Sequence, residues 1–306
     1  MLGLAGLLSC NAEQAAEDLS KKTTLQEPKP TSPPFPANVF SRMFPESPPF
    51  VPSTDEAREQ AKKLGVKGGL LDALDGQPNG NNPDNPNMTE GVTFIGQFLD
   101  HDLTLALKAP LLEQTQPGQT TNFRTVKFDL DSVYGGGPDG SPELYDTSSG
   151  DIKFRVEAIP GSEQVSKKRA GRFDLPRDQK NNAILGDSRN DENVVISQFH
   201  LAMLKFHNAV VDRLRADSGQ ANRSTRDIFE ETRRQVQWHY QWIILNEYLP
   251  LTIGQNRVDE TLQNGPRFYR LQDSQFRNSN GDLLIPVEFA VGAYRSAIRK
   301  FVPLIS

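Results

Sequence analysis

The chain has 306 residues, 36% hydrophobic and 24% charged, with a net charge of −5. That length suits one large domain or two small ones, and the composition is that of a soluble globular protein. The acidic balance argues against nucleic-acid binding, which favours basic chains; no run reaches the roughly 18 apolar residues of a membrane span; and the single cysteine, Cys10, excludes disulfides within the chain.

Residues 1–20 open with MLGLAGLLSC. An apolar run ending in Leu-Leu-Ser-Cys is the pattern of a lipoprotein leader, in which Cys10 would carry a lipid anchor and the protein would be extracellular or periplasmic. No Lys or Arg precedes the run, and a leader wants a positive start. An apolar N-terminus of a cytoplasmic chain reads equally well. Residues 21–55 are a Pro-rich arm containing EPKPTSPPFPANVF and PESPPFVP. Proline lacks an N–H and restricts the residue before it, so the arm is extended. Its aromatic residues Phe35, Phe40, Phe44 and Phe50 suggest that it packs over a larger body, residues 56–306. Residues 75–88, dense in Asn, Gly and Pro, form a loop.

Helical periodicity takes over from about residue 90. TEGVTFIGQFLDHDLTLAL reads as a helix with one apolar face. SRNDENVVISQFHLAMLKFHNAVVDRLRAD is the strongest helix, with Val195, Phe199, Ala202, Phe206, Val210 and Leu214 at three- and four-residue steps. TRDIFEETRRQVQWHYQWIILNEYLPLTIG is another, expected to stop at Pro250 and Gly254. Only KFDLDSVYG and DIKFRVEA carry short β signals, so the fold class is mainly α.

Three segments carry chemistry. In GQFLDHDL, His101 lies between Asp100 and Asp102. Neighbours on a helix point about 100° apart, so the three side chains serve three directions. Gln97, four residues earlier, shares the face of His101. A histidine so placed can shuttle protons near neutral pH; a surface histidine flanked by solvated acids has the same spelling. In RTVKFDLDSVYGGG, Thr125, Lys127, Asp129 and Asp131 alternate. In an extended segment they would face one way, offering carboxylates, a hydroxyl and a backbone carbonyl to Ca²⁺, with Asp102 adding a carboxylate from the helix. An acidic turn is the alternative. In LGDSRNDEN, Arg189 and Glu192 are three apart at the start of the long helix. An arginine near a histidine can polarise bound oxygen; a surface ion pair is the plainer reading.

Together these segments resemble the animal-type haem peroxidases, the peroxidase–cyclooxygenase superfamily, with wording closest to its bacterial branch. GQFLDHDL, FDLDSVYG, GDSRNDEN, KFHNAVVDRL, EYLPLTIG and PVEFAVGAYR occur in the family's order over about residues 36–295. The resemblance implies a helical fold holding haem b and Ca²⁺. It implies a reaction in which H₂O₂ is reduced and a small organic or halide donor is oxidised. His101 would be the distal acid–base residue, Gln97 would hold distal water, and Arg189 would stabilise charge as the O–O bond breaks. Asp100 and Glu192 match the carboxylates that some members esterify to haem. The calcium set would be Asp102, Thr125, the Lys127 backbone oxygen, Asp129 and Asp131, the last a serine in mammalian members. His207 reads as structural; His200 and His239 receive no role. Relatives include fatty-acid dioxygenases, and a haem-free, non-catalytic remnant is a further reading.

The resemblance fails at one place. After EFAVGAYR the family continues with Phe-Gly-His-Ser-x-Val-Arg-Pro, whose histidine is the proximal iron ligand; this chain has Ile298 there and no histidine after His239. One added base before the codon of Ser296 permits Phe-Gly-His-Ser-Lys-Val-Arg-Pro-Leu-Asn-Phe. Residues 296–306 are therefore expected to be a frameshifted tail, and the domain to be C-terminally truncated with negligible activity.

Overall fold

The computed structural model describes residues 38–48, 51–67, 69–70, 88–106, 117–162, 172–217 and 223–294. The expected leader with Cys10, Phe35, Phe50, most of the loop at 75–88 and the tail with Ile298 lie outside the described residues. The long helices are α1 (Asp55–Gly65), α2 (Glu90–Leu103), α5 (Val194–Ala216), α6 (Thr225–Ile243) and α8 (Gln255–Asn264). Short helical turns α3 (Asp131–Tyr134), α4 (Gly137–Gly140) and α7 (Leu249–Ile253) lie between them. Strand β1 (Asn38–Val39) pairs antiparallel with β2 (Thr121–Asn122), and β3 (Glu157–Ala158) with β4 (Phe173–Asp174). The mainly α expectation holds. The β signal at KFDLDSVYG does not: that segment is a series of bends running into α3.

The core forms where α2, α5 and α6 meet. Phe98 and Leu99 of α2, Leu201 and Leu204 of α5, and Val236 and Tyr240 of α6 belong to one buried cluster. Phe98 meets Phe199 edge-on at 4.7 Å between ring centres and Tyr240 at 6.1 Å. Each such fully buried side chain stabilises by about 1.5–3 kcal/mol. Helix α5 is long and apolar enough to cross a membrane, but half of its most apolar stretch is buried inside the protein. It is a core helix, started by Asn193, whose side chain accepts from the amides of Val195 and Ile196.

The buried face of α5 differs from the expected stripe. Ile196, His200, Met203, Leu204, His207 and Val211 are buried, whereas Ala202 is exposed and Val195, Phe199 and Phe206 are half-buried. The apolar count misplaced the face because two histidines lie inside it. His207 bonds Tyr134 Oη at 3.0 Å and the Ile152 carbonyl at 2.7 Å, so its polar atoms are satisfied and its burial is tolerated.

Pro250 does not end the α6 region. A wide turn, Ile244–Tyr248, follows α6, and Pro250 sits in the first turn of α7, where a missing N–H costs little. Gly254, with φ 87°, makes the stop. Along this stretch Trp238, Trp242, Leu245, Leu251 and Ile253 are exposed.

The described end of the arm straps the body. Ser41 donates to the Ile285 carbonyl and accepts from the Val287 amide, both at 3.0 Å. The Met43 amide donates to Glu288 Oε2 at 2.9 Å. Phe40 is buried with Leu103, Ile285 and Ala290, so the strap covers the end of α2. Phe44 is exposed, with its ring edge-on to Phe268.

Candidate functional site

Helix α2 ends on three consecutive ionisable residues, and all three are buried. Burying such groups costs free energy unless each finds a partner. The helix turns them toward three partner sets. Asp100 Oδ1 accepts from the Thr104 hydroxyl at 3.0 Å. His101 Nδ1 lies 2.8 Å from Asn190 Oδ1. Asp102 accepts from the Leu130 amide at 3.1 Å, and from the Ser132 amide and hydroxyl at 3.4 and 3.3 Å.

The carbonyls at the end of α2 have no helical donors of their own and need others. Two arginines and an asparagine supply them. Arg124 Nε and Arg189 Nη2 both donate to the His101 carbonyl at 3.1 Å. Arg189 Nη2 also donates to the Thr104 carbonyl at 2.7 Å, and Asn122 Nδ2 to the Leu103 carbonyl at 3.0 Å. Cations here also complement the negative end of the helix dipole.

Both arginines converge on Asp187, which is buried. Arg189 Nε and Nη2 bond its two oxygens at 3.1 and 2.7 Å, and Arg124 Nη2 pairs with Oδ2. Burial alone would raise the Asp187 pKa, but the two guanidinium groups overcome it and hold the carboxyl well below the usual range. Asp187 also accepts the Arg189 amide, shaping the turn Ser188–Asp191. Arg189 therefore stands on a tight turn rather than on the long helix. For His101, burial and then the Arg189 charge lower the pKa, so the ring is neutral near pH 7.

Gln97 and Glu192 meet at the outer edge, Nε2 to Oε2 at 2.7 Å. Burial raises the Glu192 pKa, while the Arg189 charge lowers it. Glu192 and Asp100 thus sit on the two elements that carry Arg189 and His101.

On the other side of α2, ligand atoms of Asp102, Asp129 and Asp131 lie within 4.8 Å of one another. The Thr125 hydroxyl donates to Asp129 at 2.8 Å, and its amide donates to Asp131 at 2.9 Å. Lys127 is exposed beside them, its charge near Asp129. The segment is bent rather than extended, so alternation is not what gathers these residues. Leu130 gathers them: it takes a left-handed conformation (φ 59°), and its fully buried side chain holds it there. From α6, Gln237 and Gln241 donate to the Asp129 and Phe128 carbonyls at 2.6 and 2.9 Å. Burial raises the Asp102 pKa, with Asp131 the next cause; burial pushes Asp131 up to about 7. Asp131 Oδ1 is buried and accepts no hydrogen bond from the described residues. A hard cation with oxygen ligands fits this donor set.

The two sides touch through Gly186. A Cβ there would stand 2.6 Å from the Ser132 carbonyl oxygen, so the close approach requires glycine. Sequence reasoning missed Asn122, Arg124, Asp187, Asn190 and His200. One signal was available: His200 and His207 are seven apart, two helical turns, and so share a face.

The end of α2 gathers an imidazole, a guanidinium and two carboxylates, side-chain chemistry compatible with a bound haem. His207 has both ring nitrogens bonded, His200 Nδ1 lies 3.0 Å from Asn190 Nδ2, and His239 is exposed with Nδ1 on the Gln235 carbonyl.

The chain is 25% identical over 182 residues to a peroxidasin homologue of Caenorhabditis briggsae, covering 57% of this chain and 13% of that protein. It is 26% identical over 140 residues to the peroxidasin homologue pxn-1 of Caenorhabditis elegans, covering 44% and 11%. It thus spans only a small part of the curated relatives it matches. Among solved structures it is similar to a fatty acid alpha-dioxygenase of Arabidopsis thaliana, with 16% identity, a TM-score of 0.47, and coverage of 69% of this chain and 38% of that one. A fatty acid alpha-dioxygenase of Oryza sativa gives 16%, 0.47, 70% and 40%. The model of the animal haem peroxidase family matches residues 106–306, beginning just after the Asp-His-Asp segment and taking in the acidic loop and the Arg189 turn. With well over half of its length matched, this chain belongs to the animal haem peroxidase family.

Proposed function

We propose that the chain carries the peroxide-handling side of a haem peroxidase that reduces H₂O₂ and oxidises a small organic or halide donor. The observation that carries this reading is that Arg189, held by Asp187, donates to the backbone carbonyl of the buried His101 at 3.1 Å, which brings a guanidinium to the turn of helix that bears the imidazole. Bound haem would supply the redox centre at which the peroxide bond is cleaved. His101 takes the proton from one peroxide oxygen as general base and returns it to the departing oxygen, which leaves as water. Arg189 stabilises negative charge on that oxygen. Gln97 holds distal water, and Asp100 and Glu192 stand as carboxylates for attachment of the haem edge. Asp102, Thr125, the Lys127 carbonyl, Asp129 and Asp131 would hold Ca²⁺, whose charge would neutralise the acidic cluster beside the end of α2.

The resemblance expects a histidine where this chain has Ile298, so the coding DNA across Tyr294–Ser306 is the first object of test. An additional base there restores the histidine, and the continued chain should then oxidise a small phenol with H₂O₂. His101→Ala should lower that rate by about 10²–10⁴-fold. The 306-residue chain with haemin should show negligible turnover. Preferred oxygenation of linoleate would replace this reading with a fatty-acid dioxygenase. A soluble, folded 306-residue chain that takes up no haem would replace it with a non-catalytic protein.

A further inference from the structure

Asn190 has no exposed surface and joins two histidines from different helices. Its Oδ1 lies 2.8 Å from Nδ1 of His101 on α2, and its Nδ2 lies 3.0 Å from Nδ1 of His200 on α5. A carboxamide is not symmetric: its oxygen only accepts and its nitrogen only donates. With the oxygen toward His101, that ring must carry its proton on Nδ1 and donate it. With the NH₂ toward His200, that ring must keep its lone pair on Nδ1 and its proton on Nε2. One amide therefore sets the tautomers of two rings in opposite senses.

The backbone fixes where this amide stands. The Asn190 amide N–H donates to the Asp187 carbonyl at 3.0 Å, within the turn that Asp187 caps. Asp187 is itself held by Arg124 and Arg189, so the turn is tied to the end of α2 that carries His101. His200 is almost fully buried, and its ring lies edge-on to Phe98 at 6.2 Å. The Asn190 amide is thus held at both ends by rings that packing restrains.

We propose that Asn190, backed by His200, is a positioning residue that holds His101 as the Nδ1–H tautomer and so presents Nε2 as its proton-accepting atom. The catalytic meaning rests on the peroxidase reading; the tautomer assignment does not. In that reading Asn190 touches no reacting atom and acts through His101. His200 acts one step further back, fixing which way the amide faces.

The test uses the 306-residue chain with ¹⁵N-labelled histidine and long-range ¹H–¹⁵N correlation at neutral pH, which needs neither haem nor peroxide. The expected result is a protonated Nδ1 and bare Nε2 on His101, with the opposite pattern on His200. Asn190→Leu should abolish the His101 Nδ1–H form as the major species. Asn190→Asp, which presents an acceptor to both rings, should keep that form on His101 and switch His200 to Nδ1–H. A merely structural Asn190 would move neither pattern. An unmutated chain with His101 as Nε2–H overturns the proposal, whatever the variants do. The expected tautomers in a chain that never shows peroxidase activity, even with its axial histidine restored, would leave this proposal standing and sink the functional one.

Discussion

His101 and Asp102 are adjacent, yet they face two environments with opposite charge balance. On the His101 side, the buried carboxylate Asp187 is matched by Arg124 and Arg189. Each oxygen of Asp187 is bonded there, and the carbonyls of His101, Leu103 and Thr104 at the end of α2 are taken up. On the Asp102 side, three carboxylates crowd together, and Arg124 Nε reaches Asp131 Oδ1 only at 3.7 Å. Buried like charges cannot all ionise without a partner. The first side balances its carboxylate with two arginines; the second gathers three carboxylates with only Arg124 at 3.7 Å and the Lys127 charge near them. One helix end thus joins a charge-balanced cluster to a carboxylate-rich one, the first proposed above to anchor a proton-transfer residue and the second to take a cation.

The largest expected effect breaks the charge-balanced side. Asp187→Ala leaves the buried Arg124 and the half-buried Arg189 without their carboxylate and should cost about 3–5 kcal/mol, read from denaturant unfolding of the 306-residue chain. The carboxylate-rich side is next. Calcium at a hundredfold excess over its dissociation constant should stabilise the fold by about 2.7 kcal/mol, and Asp102→Ala should remove most of that gain in a thermal melt. The sign of its pH dependence follows from Asp131. Its folded pKa of about 7 lies above the ordinary value of 3.8, so its contribution without the ion is present at low pH and lost as pH rises through 7. The calcium-induced rise in Tm should therefore be larger at pH 8 than at pH 5; an equal rise at both would contradict the charge imbalance. Gly186→Ala pushes the two sides apart and should cost about 1–3 kcal/mol through overpacking against the Ser132 backbone. The smallest effect is a control. Asn193→Ala removes the cap of α5 and should cost about 1 kcal/mol, with no change in the calcium response.

Periodicity and the quoted motifs made the three core helices and the acidic segment legible in the sequence. Their partners were less visible. Arg124 and Asp187 are 63 positions apart, and nothing in either neighbourhood announces that they meet. The α5 face was misplaced because apolar counting treats His200 and His207 as outward residues, while hydrogen bonds make them inward ones. The wide turn at Ile244–Tyr248 absorbed a proline that, read alone, should have ended the helix. The acidic set was identified as one group on a premise of extended backbone; the bent loop gathers the residues through Leu130 instead. Long-range pairing and left-handed backbone leave little trace in a linear pattern of residue types.

The chain has two tryptophans, and both project from the open face of α6: Trp238 is 59% exposed and Trp242 is 57% exposed. Their indole rings already meet water in the folded state. Their emission should therefore shift little when the chain unfolds, and far less than the helical signal near 220 nm. Tryptophan fluorescence is consequently a poor reporter of global unfolding here, yet a sensitive one for anything that settles on this face, because any partner that covers both rings should turn their emission blue.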